Sequence, residues 1–146
     1  MSAGVESPTI LLVEDNPTDV YVIKRILDES RLDVRVEIAR DGQEALRYFD
    51  NLGGDESRPC PAVVLLDLNI PKVGGFEVLR KIRSLPRCVQ TPVIIVTSSN
   101  AQDDRITAQQ LKADAYFEKP SDLRTYMKLG RLVGELLRTN QESCEF

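Results

Sequence analysis

Short continuous apolar runs alternate along the chain with longer stretches in which apolar positions recur every three or four residues. Thr9-Ile10-Leu11-Leu12-Val13 is the first run. It is unbroken and β-branched, as a parallel strand covered on both faces requires. Asn16 then supplies a helix cap and Pro17 suits the first helical position. Val20, Ile23 and Leu27 follow at helical spacing, with Val22 and Ile26 widening the stripe. Asp33 to Ala39 alternates instead, with Val34, Val36 and Ile38 on one side, and predicts a half-exposed edge strand.

The pattern repeats. Asp41-Gly42 leads into a helix over 43–51 with Ala45, Leu46 and Phe49 inward, and 53–61 is a polar loop. Ala62–Leu66 is a second buried strand ending at Asp67. Gly74 and Gly75 precede a helix through Phe76, Val78, Leu79 and Ile82. Val93–Val96 is a third buried strand ending at Thr97, and 101–112 a helix whose larger apolar residues are Ile106 and Leu111. Ala115–Phe117 is a short strand ending near Lys119, and Ser121 caps a last helix running to about Arg138. This predicts one domain over 9–138, an N-terminal extension over 1–8 and a frayed tail over 139–146. Five β-α units with short connections predict an α/β fold of three layers, a parallel sheet with helices on both sides. In such sheets ligands bind beyond the carboxyl ends of the strands.

Composition narrows the chemistry. The chain has 146 residues and no histidine, which excludes a Ser-His-Asp triad, imidazole-ligated zinc and a phosphohistidine on this chain. Its net charge of -4 argues against a generic nucleic-acid surface. Cys60, Cys88 and Cys144 are widely spaced with no CxxC pair, so neither a zinc site nor a disulfide is expected. No signal-peptide pattern opens the chain and no apolar run approaches the ~20 residues that span a bilayer. A reduced, cytoplasmic setting is expected.

The strand ends carry the candidate chemistry: Glu14-Asp15 after the first, Asp67 after the third, Thr97 after the fourth and Lys119 after the fifth. Clustered carboxylates repel unless a cation joins them. Hard oxygen ligands without His or Cys point to Mg²⁺, with Mn²⁺ as a substitute. A metal flanked by Lys119 and Thr97 suits a phosphoryl group, with Asp67 as the nucleophile that forms an acyl phosphate.

These residues resemble the receiver domain of two-component response regulators. The matching segments are LLVEDNPTD at 11–19, VVLLDLNIPKVGG at 63–75, VIIVTSS at 93–99 and ADAYFEKP at 113–120. The resemblance implies a flavodoxin-like sheet in the order 2-1-3-4-5. It implies that Asp67 is the phospho-acceptor, that Glu14 and Asp15 hold Mg²⁺, and that Asn69 gives it a backbone carbonyl. Thr97 and Tyr116 resemble the switch pair, and Lys119 the residue that bridges to the phosphoryl oxygen or to unmodified Asp67. Asn69 and Ser99 would line the path of the hydrolytic water, and the Lys119–Pro120 bond would be cis. Two departures stand out: Ile70 where many members have Met, and Glu14 where Asp is more frequent.

By the same resemblance the partner is a sensor histidine kinase, docking against the first helix. The chain is similar to stand-alone regulators of phytochrome-type kinases, so no DNA-binding output module is expected. The protein would be no turnover enzyme, only a phospho-acceptor with slow autodephosphorylation. Two alternatives are an aspartate-nucleophile phosphatase, whose DxD pattern has Asn69 at its second position here, and a phosphorylation-independent binding module. On the last helix, Leu123, Tyr126, Met127, Val133 and Leu137 share one face, and Leu129, Leu132 and Leu136 form a second stripe. One stripe would cover the sheet and the other would join a homodimer.

Overall fold

A computed structural model describes residues 7–55 and 57–144, with side chains to residue 139. Five strands and five helices alternate: β1 (Thr9–Val13), α1 (Pro17–Glu29), β2 (Arg35–Ala39), α2 (Gly42–Gly53), β3 (Val63–Leu66), α3 (Gly75–Ser84), β4 (Val93–Thr97), α4 (Gln102–Gln110), β5 (Ala115–Glu118) and α5 (Leu123–Cys144). The sheet is parallel in the order β2-β1-β3-β4-β5, as the family resemblance implied.

Strand alternation divides the core. Ile10 and Leu12 of β1 face Val20, Ile23, Ile26 and Leu27 of α1 and Tyr126, Leu129 and Val133 of α5. Leu11 and Val13 face the other way, onto Ala45 and Phe49 of α2 and Val78, Leu79 and Ile82 of α3. The three central strands are buried almost throughout, while the edge strands β2 and β5 are partly open. That contrast follows from both faces of a central strand being covered by helices.

Local chemistry explains where the helices begin. Asn16 accepts from the amides of Thr18 and Asp19 and caps α1. Asp41 accepts from the Glu44 amide while the Glu44 carboxylate accepts from the Arg40 amide, a reciprocal cap for α2. The cap of α5 is Asp122 rather than Ser121: its carboxylate accepts from both the amide and the hydroxyl of Thr125. A β-carbon at Gly75 would collide with the Asp67 carbonyl, so glycine there lets α3 start directly against the end of β3.

Other expectations change as well. The last helix continues beyond Arg138 to Cys144, so residues 139–144 of the expected tail carry on its turns, while 145–146 and residues 1–6 of the expected N-terminal extension lie outside the described residues. Ile106 faces solvent and Ala108 is the buried residue of α4. Lys119–Pro120 is trans, since no described peptide bond is cis. Trans is the favoured isomer, and in it the Lys119 amide still donates to the Thr97 carbonyl at 2.8 Å.

Cys60 and Cys88 form a disulfide, with Cα atoms 5.8 Å apart. Their separation of 28 residues gives no pairing signal. The fold brings the 53–61 loop beside the segment after α3, within the spacing a disulfide needs. The Arg87 guanidinium fastens the same loop by donating to the carbonyls of Leu52, Asp55 and Arg58. The third cysteine, Cys144, lies beyond the described side chains.

Candidate functional site

Sheet pairing brings the site together. The Glu14 amide donates to the Ala39 carbonyl at 3.0 Å and the Asp67 amide to the Val13 carbonyl at 3.1 Å, so both residues continue the ends of β1 and β3. Lys119 leaves β5 beside Thr97. Its ammonium donates to Glu14 Oε1 at 2.8 Å, Asp19 Oδ2 at 2.8 Å and Asp67 Oδ2 at 2.9 Å. The Lys119, Glu14 and Asp67 side chains are 9%, 1% and 7% exposed, so the pairs lie in a poorly hydrated setting. Asp15 is exposed, and one carboxylate oxygen each from Glu14, Asp15 and Asp67 lies within 4.8 Å of the others.

The remaining expected residues border the cluster, with the Thr97 carbonyl accepting from the Lys119 amide at 2.8 Å. Thr97 is fully buried at the end of β4, and its Oγ1 accepts from the Ser99 amide at 3.3 Å. Tyr116 donates its hydroxyl to the Ser99 carbonyl at 2.9 Å, with the Arg105 guanidinium 4.4 Å from its ring centroid. Thr97 and Tyr116 are therefore joined through the backbone of Ser99. The Ser99 hydroxyl donates to Asp104 at 2.6 Å and accepts from the Ala101 amide at 3.2 Å. Asn69 is exposed, and its amide donates to Asp67 Oδ1 at 3.2 Å, which orients the acceptor carboxylate.

Electrostatics follow from burial and charge excess. Burial pushes the Glu14 carboxyl up to about 7; the nearby Asp67 charge adds to the rise and the hydrogen bond from Lys119 opposes it. Burial alone would lower Lys119, but hydrogen bonds to Asp19, Glu14 and Asp67 outweigh it and hold the ammonium above its ordinary value. Burial likewise pushes the Tyr126 hydroxyl, which has no partner among the described residues, up to about 12.

Residues 10–129 match the family described as response regulator receiver domain. The chain belongs to that family. Response regulator Rcp1 of Synechocystis sp. is 37% identical to it over 120 residues, covering 82% of each chain. The crystal structure of the phosphorylated cyanobacterial phytochrome response regulator RcpA matches with a TM-score of 0.80 at 32% identity, over 92% of this chain and 96% of that one. The Mn(2+)-bound form of Rcp1 matches with a TM-score of 0.76 at 35% identity, over 86% and 91%. Receiver domains are phospho-accepting signalling modules, and this receiver domain has the sheet and the acidic rim for that task.

The rim of the receiver domain also fits a divalent cation. Its donors are hard carboxylate oxygens with negative charge in excess of the single ammonium. The three carboxylate oxygens all lie within 4.8 Å of one another, the scale of a single cation's coordination sphere. The residue missed in the sequence is Asp19. It reads there as an acidic residue in the first turn of α1, an ordinary complement to the helix dipole. Only the fold, which carries Lys119 from the end of β5 across the carboxyl edge of the sheet to the first turn of α1, brings the two together.

Proposed function

We propose that Asp67 accepts a phosphoryl group from a phosphohistidine of a sensor histidine kinase. The observation that carries this reading is Asp67 itself: a buried carboxylate held at 2.9 Å by a nearly buried ammonium, next to two further acids. An Asp67 oxygen forms the new O–P bond as the N–P bond of the donor breaks, and the departing imidazole takes up a proton. Lys119 faces the charge that develops on the transferring oxygens. Mg²⁺, held by Glu14, Asp15, Asp67 and the Asn69 carbonyl, supplies Lewis-acid neutralisation of that charge when bound. Slow hydrolysis later adds water to phosphorus and releases inorganic phosphate from Asp67.

The output is conformational. Thr97 and Tyr116 share Ser99 as a partner, so a movement of Thr97 toward the phosphoryl group pulls on the segment that anchors the Tyr116 hydroxyl. Phosphorylation thus biases a two-state equilibrium. Similarity to RcpA, a cyanobacterial phytochrome response regulator, supports a kinase of the phytochrome type, and membership of the receiver family supports a cytoplasmic setting. No helix among the described residues is long and apolar enough to cross a membrane. Both apolar stripes of α5 pack on the core, with Met127, Leu132, Leu136 and Leu137 half-buried and Leu123 exposed. A homodimer through α5 would cover what remains, and an unchanged solution mass in Leu123→Glu and Leu132→Glu would dismiss it.

Incubation with Mg²⁺ and acetyl phosphate tests the acceptor. The intact mass of the wild type should rise by one phosphoryl group and that of Asp67→Asn should not. Modification of Asp67→Asn to the same extent would refute the assignment. Repeated turnover of phosphate esters would favour the phosphatase reading, which family membership and Asn69 oppose.

A further inference from the structure

We propose that Asp19 is a positioning residue that competes with the transferred phosphoryl group for Lys119 and thereby sets how tightly the site holds that group. The inference rests on the reading of Asp67 as phospho-acceptor. A lysine ammonium has three N–H donors, and Glu14, Asp19 and Asp67 take one each at 2.8, 2.8 and 2.9 Å. The donor set is saturated. A phosphoryl oxygen therefore gains Lys119 only by displacing an acceptor.

The three acceptors are not equivalent. Glu14 and Asp67 belong with Asp15 to the group of carboxylates that could share a cation. Asp19 lies outside that group, and Lys119 is its only ion-pair partner among the described residues. It is also held in place from below, because its amide donates to the capping Asn16. At 27% its side chain is the most exposed of the three, against 1% for Glu14 and 7% for Asp67. Water compensates a released Asp19 better than a released Glu14 or Asp67. Asp67 gives up its share of the ammonium when its own oxygen bonds phosphorus, so Asp19 is the charged acceptor outside the metal group that still draws Lys119 away from the phosphoryl oxygen, and its charge repels that oxygen in addition. An Asn at this position keeps the shape and a carbonyl acceptor but loses the charge. The hydrogen bond it offers Lys119 is about half as strong, so the ammonium moves to the phosphoryl group at lower cost.

The test is a titration with beryllofluoride, a phosphoryl mimic, at saturating Mg²⁺, with the bound adduct read by fluorine NMR. The dissociation constant should fall roughly tenfold in Asp19→Asn, the difference between a charge-assisted and a neutral hydrogen bond. Asp19→Glu should restore the wild-type value. Asp28→Asn, which removes the same charge from an exposed position farther along α1, should leave it unchanged. A purely structural role would weaken binding and lower the melting temperature together, the opposite direction. If Asp19→Asn folds poorly, Asp19→Ser serves, since Ser is tolerated in a first helical turn. Equal or weaker binding in the folded variant overturns the role of Asp19. Failure of the wild type to form any adduct overturns the acceptor reading and the inference with it.

Discussion

Two cationic centres at opposite ends of the sheet show how partner chemistry divides labour in this molecule. At the carboxyl ends of the strands, Lys119 is ringed by three carboxylates. At the other end, Arg83 is ringed mainly by carbonyls: it donates to Val89, Thr91 and Lys112, with Asp114 as its one charged partner. Arg87 beside it meets carbonyls only among its described partners. Carbonyl partners belong to the backbone and cannot be exchanged without moving the chain, so the arginines hold loops. Carboxylate partners carry an excess of negative charge that a cation or a change in protonation can redistribute, so the lysine site is exchangeable. Neutral dipoles make a clamp, and surplus charge makes a switch.

The largest effect should come from removing the central cation. Lys119→Met leaves three carboxylates facing one another, and breaking a buried pair costs about 3–5 kcal/mol. Thermal unfolding should show this loss without metal, and added Mg²⁺ should recover more stability in Lys119→Met than in the wild type. Equal recovery in both would mean that the carboxylates do not share a cation.

Next in size is the Cys60–Cys88 bond, which closes a loop of 28 residues in sequence separation. Chain entropy puts its contribution at about 3–4 kcal/mol. Reductant or Cys88→Ser should lower the denaturation midpoint accordingly and leave beryllofluoride binding at Asp67 unaltered, because the bridge belongs to the clamp end. A loss of adduct on reduction would break the separation between the two ends.

The pH response distinguishes the ends in the same way. The Glu14 carboxyl rises from 4.5 to about 7 on folding, so the folded state binds more protons than the unfolded state between those values. Stability from this group is complete below about 4.5 and is lost as pH climbs to about 7. At about 1.4 kcal/mol per unit the loss across this window is about 3–4 kcal/mol. Unfolding measured in chelator across that window should show the decline, and Glu14→Gln should flatten it. The smallest effect is expected at the clamp. Arg83→Met, with its side chain 15% exposed, should cost about 2 kcal/mol through carbonyls left without a donor. Fluorine NMR of the adduct should be unchanged.

How much of this was legible beforehand differs between the same two ends. The acidic rim was readable because each residue follows directly on an apolar run: Glu14 on β1, Asp67 on β3, Thr97 closing β4 and Lys119 after β5. A parallel sheet must gather such residues on one edge. Asp19 was not readable, since it sits inside a helix turn where an acid already has a local explanation. The clamp end was invisible. Arg83, Arg87, Cys60 and Cys88 bond to groups 6 to 35 positions away, mostly backbone carbonyls, which every residue possesses.

Periodicity and the residues that end each strand were enough, without coordinates, to set the layers, the parallel sheet and the acids that share its rim, because burial on two faces and the pitch of a helix leave their imprint on neighbouring positions. Which helix turn leans on which strand was decided only in three dimensions. That choice handed Asp19 to Lys119, joined Thr97 to Tyr116 through Ser99 and brought Cys60 against Cys88. Such contacts depend on the summed packing of elements far apart in the chain, and no local pattern encodes that sum.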